Sequence, residues 1–424
     1  MAKHDDVVID IKAMVEEAVA PEADQCCIYR VPFDIRKLNN EAYTPRVVSI
    51  GPFHHNRHDH LRDMERHKLI FCKAFLQRTK TTLATWIPHI QELEPHFRQC
   101  YSHALAFSKE ELVKIIFVDS GFIFELFLIY YHHEWSHNNN FVLKPWMRTK
   151  IEIDLLLLEN QLPFFVLDRL FNLSFTSVRE SDPNDNIPSF LRLTFHFFNR
   201  FNISELNFDK HVSIMHFTDL IRTFHLQHHS KKLPDKNPGE VVTHLPSTTE
   251  LSEAGVRFNV NINKFFPDFE FSRGVLTIPQ LIVQDSTEIL FRNMVVLEQC
   301  HYPLQSYIAN YVIVMDFLVN KSSDVDILVQ ERVLHNLLGD SDSVAKLFNG
   351  LGKNIVLSNM SSHYGHLAQK LNAFQGNPWN KLKSTLRRDY CKTPWQSAVS
   401  IAGILLLVLS LLQTVCSVVQ VIQQ

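Results

Sequence analysis

The residues from Thr393 to Gln424 carry no charged side chain, and between Ala398 and Ile422 only Ser400, Ser410, Gln413, Thr414, Ser417 and Gln420 interrupt an apolar run. At about 1.5 Å per residue this run reaches roughly 37 Å as a helix, against about 30 Å of hydrocarbon in a bilayer. The spacing predicts a transmembrane helix over 398–422, with the lipid bilayer as its partner. Lys381, Lys383, Arg387, Arg388 and Lys392 stand before it as a membrane-proximal basic group against one acid, Asp389. The positive-inside tendency then predicts a single-pass, tail-anchored chain with its large N-terminal body in the cytosol. Which membrane would hold it is left open.

The body before that segment is long enough for a substantial core, and a 46 % apolar content with 32 Phe against 10 Tyr predicts a phenylalanine-rich interior. Lys and Arg total 42 against 45 Asp and Glu, a formal charge of -3, so no basic field recommends nucleic acid as a partner. The cysteines at 26, 27, 72, 100, 300, 391 and 416 are odd in number and form no C-x-x-C pair, which predicts reduced thiols.

Patterning predicts a mainly α fold with minor β segments: an amphipathic segment over 1–20, one large globular domain over 26–390 with a variable region at 172–246, and the terminal helix. Cys26 to Val31 and Tyr43 to Ile50 read as short extended segments, the second closed by Gly51-Pro52. A helix with a mixed face is expected over 61–77. Ser108 with Glu111, and Ser247 with Glu250, have capping-box spacing. Leu155 to Leu158 are followed by Glu159-Asn160-Gln161-Leu162-Pro163, so two core helices are expected around a bend whose polar groups need internal partners if buried. Strands are expected near 256–260 and 276–283, and helices from 285 and over 306–318, 328–338 and 344–351.

One string carries an enzyme-like pattern. His133-Glu134-Trp135-Ser136-His137 satisfies H-E-x-x-H, which on a single helix would aim two imidazoles at a zinc ion, with Glu134 as the base and Glu159 as a third ligand. A zinc-dependent hydrolase is therefore the alternative function, although Ser-His-Asn-Asn-Asn at its end has the composition of a loop. His54, His55, His58 and His60 with Asp59 and Asp63 make a second polar patch whose spacing does not establish convergence. No phosphate loop, dinucleotide fingerprint or nucleophile elbow is present. These motifs indicate no cofactor.

The blocks CCIYRVPFDIRKLNNEAYTPRVVSIGPFHH at 26–55, MERHK at 64–68, DSGFIFELF at 119–127, LLLLENQLPFFVLDRLF at 155–171, TTELSEAGVRF at 248–258 and TEILFRNMVVLEQCHY at 287–302 resemble the plant family of unknown function DUF247, also described as UPF0481. The resemblance spans nearly the whole chain. It implies one plant-specific domain followed by a C-terminal transmembrane helix, and it implies no reaction. Some relatives are associated with self-recognition during grass pollination, a role the resemblance does not carry to this chain. The expected function is a membrane-anchored module that binds an unidentified protein partner without catalysis, its surface placed at 228–246.

Overall fold

A computed structural model describes residue 12 and residues 25–422, apart from 135–142, 177–186, 204, 208–212, 227–237, 240–241, 262–265, 267, 356–359, 381, 383 and 386–393. The predicted segment 1–20 lies outside it save for Lys12, as do Lys381, Lys383, Arg387, Arg388 and Lys392 and most of the surface expected at 228–246.

The N-terminal half is helical: α1 (Phe33–Arg36), α2 (Arg62–Thr79), α3 (Leu83–Gln99), α4 (Lys109–Tyr131), α5 (Pro145–Asp154), α6 (Phe164–Ser174), α7 (Phe190–Phe197) and α8 (Phe217–Leu226). Helix α4 starts at the predicted capping box, Ser108 and Glu111 each closing on the other's backbone N–H. Every residue from Asp119 to Ile129 is buried, so its apolar character runs all round and it fills the centre. Phe75 of α2, Phe171 of α6 and Phe190 of α7 meet Phe124 of α4, with ring centroids 5.2 Å, 5.3 Å and 5.2 Å apart. The phenylalanine-rich interior is present as the composition requires.

The C-terminal half adds β1 (Pro238–Gly239), α9 (Thr248–Glu253), β2 (Arg257–Asn261), β3 (Glu270–Ser272), β4 (Val275–Pro279), β5 (Leu281–Val283), α10 (Thr287–His301), α11 (Tyr307–Leu318), α12 (Ser322–Gln330), β6 (Leu334–Asn336), α13 (Ser341–Leu351), β7 (Met360–Ser361), α14 (Ser362–Gly376) and α15 (Pro394–Ile422). The sheets are small. In the largest, β4 lies between a parallel β2 and an antiparallel β3, with Phe258 opposite Leu276. The two halves share one core, because Asn293 of α10 accepts from the Leu158 N–H (2.8 Å) and donates to the Ala42 carbonyl (2.8 Å). Arg222 of α8 also pairs with Glu298 of α10 at 2.9 Å.

Several expectations are corrected. The segment 43–50 forms no strand: after a 3-10 turn at Asn40–Tyr43, its N–H groups are taken by side chains far along the chain. The helix expected over 328–338 ends at Gln330, and Leu334–Asn336 pairs in parallel with Leu281–Val283. The transmembrane prediction is overturned too: among the described residues no helix is long and apolar enough to cross a membrane. The fold is thus mainly α with minor β in one globular domain, without the predicted span. The lipid bilayer as partner and the single-pass topology fall with it.

Candidate functional site

The Glu159–Asn160–Gln161 bend between α5 and α6 is fully buried, and each side chain bonds backbone groups of the chain. Asn160 accepts from the Ile50 N–H (2.7 Å) and donates to the carbonyls of Val48 and Asp154 (both 2.9 Å). Gln161 donates to the carbonyls of Leu155 (2.6 Å) and Leu157 (2.7 Å) and accepts from the Phe217 N–H (2.9 Å). Asp154, at the end of α5, accepts from the N–H groups of Arg46 (2.9 Å), Val47 (2.6 Å) and Val48 (2.9 Å). Burial pushes its carboxyl up to about 6 against those three donors, which keeps it mostly ionised at neutral pH. The irregular segment 46–51 is therefore held by side chains where a strand would use a neighbouring backbone.

A second buried charge group supports the same segment. Lys68 of α2, fully enclosed, donates to the Ser49 carbonyl (2.8 Å) and to Asp119 of α4 (2.5 Å), and pairs with Glu65 at 2.7 Å. Asp119 in turn accepts from the Gly51 N–H at 2.7 Å. At Gly51, φ is +71° and an added Cβ would stand 2.4 Å from the Gln161 carbonyl oxygen, so both the conformation and the space demand glycine.

Glu159, as buried as its neighbours, engages α1 and the chain leading into it. Its Oε1 accepts from the Val31 N–H at 2.6 Å and its Oε2 meets Arg36 of α1 at 2.5 Å. His54 is 4 % exposed, with Nε2 at 3.5 Å from Glu159 Oε2. Burial first, then the positive charge of Arg36, hold His54 down to about 3, so it is neutral in the folded chain. The ring centroids of His54 and His58, and of His58 and His60, are both 5.6 Å apart, while Arg30 stacks over Phe53 at 4.3 Å.

The expected zinc arrangement does not form. Helix α4 ends at Tyr131, and His133 sits beyond it with φ at +56°, so the string does not ride on one helix. Glu134 is engaged by Arg78 at 2.7 Å, and the same guanidinium holds Glu125 at 2.9 Å. Glu159 is committed to Val31 and Arg36, and His137 lies outside the described residues. Among the described residues no group of three metal-ligating side chains converges, which overturns the hydrolase alternative. His133 instead borders, with Tyr131, Arg192, His196 and Asn199, a polar cleft of about 920 Å³.

A second concavity lies along the outer face of α2. It measures about 360 Å³ and is lined by Leu69, Cys72, Leu76, Thr81, Leu83 and Phe117, with Lys73 and Gln77 at its rim. Leu69, Ile70 and Leu83 are 56 %, 44 % and 53 % exposed beside it. Sequence reading missed this groove because Leu69, Ile70 and Leu76 were assigned to a mixed, partly buried helix face over 61–77 and Leu83 to no element. The spacing of seven between Leu69 and Leu76 was the available signal on α2.

Comparison with known proteins agrees with the residue blocks quoted above. The family model described as DUF247, plant protein of unknown function, matches residues 28–409. The chain is 29 % identical over 423 residues to UPF0481 protein At3g47200 of Arabidopsis thaliana, covering 93 % of this chain and 87 % of that one. It is 23 % identical over 481 residues to a putative UPF0481 protein, At3g02645, of the same plant, covering 91 % and 89 %. No solved structure matches. With the match running over nearly the whole chain, this protein belongs to the DUF247 family of plant proteins of unknown function.

Proposed function

We propose that the chain is a binding module that holds a partner protein through the outer face of α2 and does not turn over a substrate. The observation that carries this reading is the apolar groove beside exposed Leu69, Ile70 and Leu83 on a helix packed rigidly against α4. Exposed Arg66 and Lys73 recur on α2 at the same spacing of seven as Leu69 and Leu76, which returns each pair to one side of that helix, while exposed Lys80 and Leu83 follow at its C-cap and at the start of α3. An apolar groove edged by cations suits an amphipathic helix with apolar side chains at i, i+4 and i+7 and acidic residues beside them. The buried polar residues support the reading from the other side: Asp154, Asn160, Gln161 and Lys68 are spent on backbone groups of the chain itself.

The test starts with a photo-crosslinking amino acid at Ile70 of the full chain. The captured protein is then purified and titrated against the native chain, Leu69→Asp and Lys73→Glu. Both substitutions are solvent-facing and should leave the unfolding midpoint unchanged while weakening binding about tenfold or more. Equal affinity of all three chains for the captured protein would sink the reading.

A further inference from the structure

The number and spacing of the cysteines predict reduced thiols, but the fold sets two of them side by side. Cys27 lies on the chain leading into α1, and Cys100 caps the C-terminus of α3. The N–H groups of Cys27 and Ile28 both donate to the Cys100 carbonyl, at 3.0 Å and 2.8 Å, and the Ser102 N–H donates to the Ile28 carbonyl at 2.9 Å. Ile28 and Tyr101 thus form one parallel bridge, which leaves Cys27 beside Cys100, one residue back on each segment. Paired strands run about 4.8 Å apart, inside the Cα separation of roughly 4.4–6.8 Å that a disulfide spans.

The side chains meet as well as the backbones. The Cys27 thiol is hydrogen-bonded to the Cys100 sulfur, and that contact, then burial, raise the Cys27 thiol above its ordinary value. Both residues are buried, and the Cys100 thiol also reaches the His96 carbonyl at 3.3 Å. Cys26 and Cys300 are the nearby competitors, whereas Cys72 packs where α2 meets Gly121 and Cys416 is exposed on α15. The two segments also flank the buried bend: Glu159 accepts from the Val31 N–H at 2.6 Å, and the Tyr101 hydroxyl donates to the Gln161 carbonyl at 2.8 Å. A covalent bond here would tie the entry to α1, the end of α3 and that bend together.

We propose that Cys27 and Cys100 are a disulfide site, oxidised by a small disulfide of the glutathione type as the chain folds and then sealed from reductant by burial. The two thiols give up two protons and two electrons as the S–S bond forms, and glutathione disulfide takes them up to become two glutathione thiols. Exchange runs through a thiolate with access to the attacking partner, and the buried, hydrogen-bonded pair has neither, so the bond is made during folding. The site is separate from the groove on α2 and does not depend on it.

The full chain is reduced and unfolded, then refolded either with a mixture of oxidised and reduced glutathione or with a phosphine reductant. Free thiols are alkylated, the chain is digested without reduction, and peptides are fragmented to tell Cys27 from Cys26. The expected result is Cys27 joined to Cys100 after refolding with oxidised glutathione, and a bond that survives when the folded chain is moved to reduced glutathione. The cross-linked chain should unfold at a higher urea midpoint than the reduced chain, because the bond restricts the unfolded ensemble. Cys100→Ser should abolish the cross-link and the midpoint difference, and Cys416→Ser should keep both. Alkylated Cys27 and Cys100 after refolding with oxidised glutathione would overturn the proposal, a result read on the native chain and independent of how the variants fold. So would a bond from either residue to Cys26 or Cys300, or equal midpoints for the cross-linked and reduced native chain.

Discussion

At the scale of single residues, the fold depends on polar side chains buried where a sequence reader expects apolar ones. His54 illustrates the consequence for pH. Its pKa lies at about 3 in the folded chain against an ordinary 6.5, chiefly through burial, so the unfolded chain binds the proton more readily. The stability tied to a neutral His54 is complete above about pH 6.5 and is lost progressively as pH falls toward 3. Replacing His54 with Gln removes that dependence. Its destabilisation, read from urea midpoints, should be about 2 kcal/mol smaller at pH 5 than at pH 7. An equal difference at both values would mean that His54 is not held neutral. The polar character of the 159–161 bend was legible in the sequence, as was its need for internal partners. The identity of those partners was not, since Ile50 and Phe217 lie 110 and 56 residues away.

At the scale of elements, the sequence marked helix starts well and missed helices whose signals conflict. Both capping boxes form as their spacing requires, Ser108 with Glu111 and Ser247 with Glu250. Helix α3 escaped because Pro88 and Pro95 lie within it. Both prolines stand on the exposed face with Ala84 and Gln91, whose carbonyls lose their ladder donors where water can replace them. The close approach of α2 and α4 was hidden for a different reason: it rests on one glycine. A Cβ at Gly121 would stand 2.6 Å from the Cys72 sulfur, so Gly121→Ala should cost about 1–3 kcal/mol by pushing the helices apart. Adding Cys72→Ala should restore part of that loss by clearing the space. A double variant less stable than the sum of the two single losses would show that the two residues do not share this contact.

At the scale of the whole molecule, composition and periodicity were enough for a mainly α body with minor strands. They did not reveal that the body is tied together by side chains reaching into an irregular segment. Residues 43–50 resembled a strand because Val47, Val48 and Ile50 are β-branched and a Gly-Pro turn follows. In the fold Asp154, Asn160 and Asp119 take the places a neighbouring strand would occupy. The terminal segment misled differently, because an apolar run in sequence is a statement about composition, and no described helix has both the length and the apolarity to cross a membrane. Buried Asp154 and Asn160 are structural and lock segment 46–51 to the core. Hydrogen exchange by mass spectrometry on the native chain and Asn160→Ala tests this role. Native peptides covering 46–51 should be protected as strongly as those of Lys109–Tyr131. In Asn160→Ala, which leaves the Ile50 N–H and two carbonyls unpaired at a cost of roughly 3 kcal/mol, the same peptides should exchange ahead of the rest. Rapid exchange of 46–51 in the native chain would contradict it.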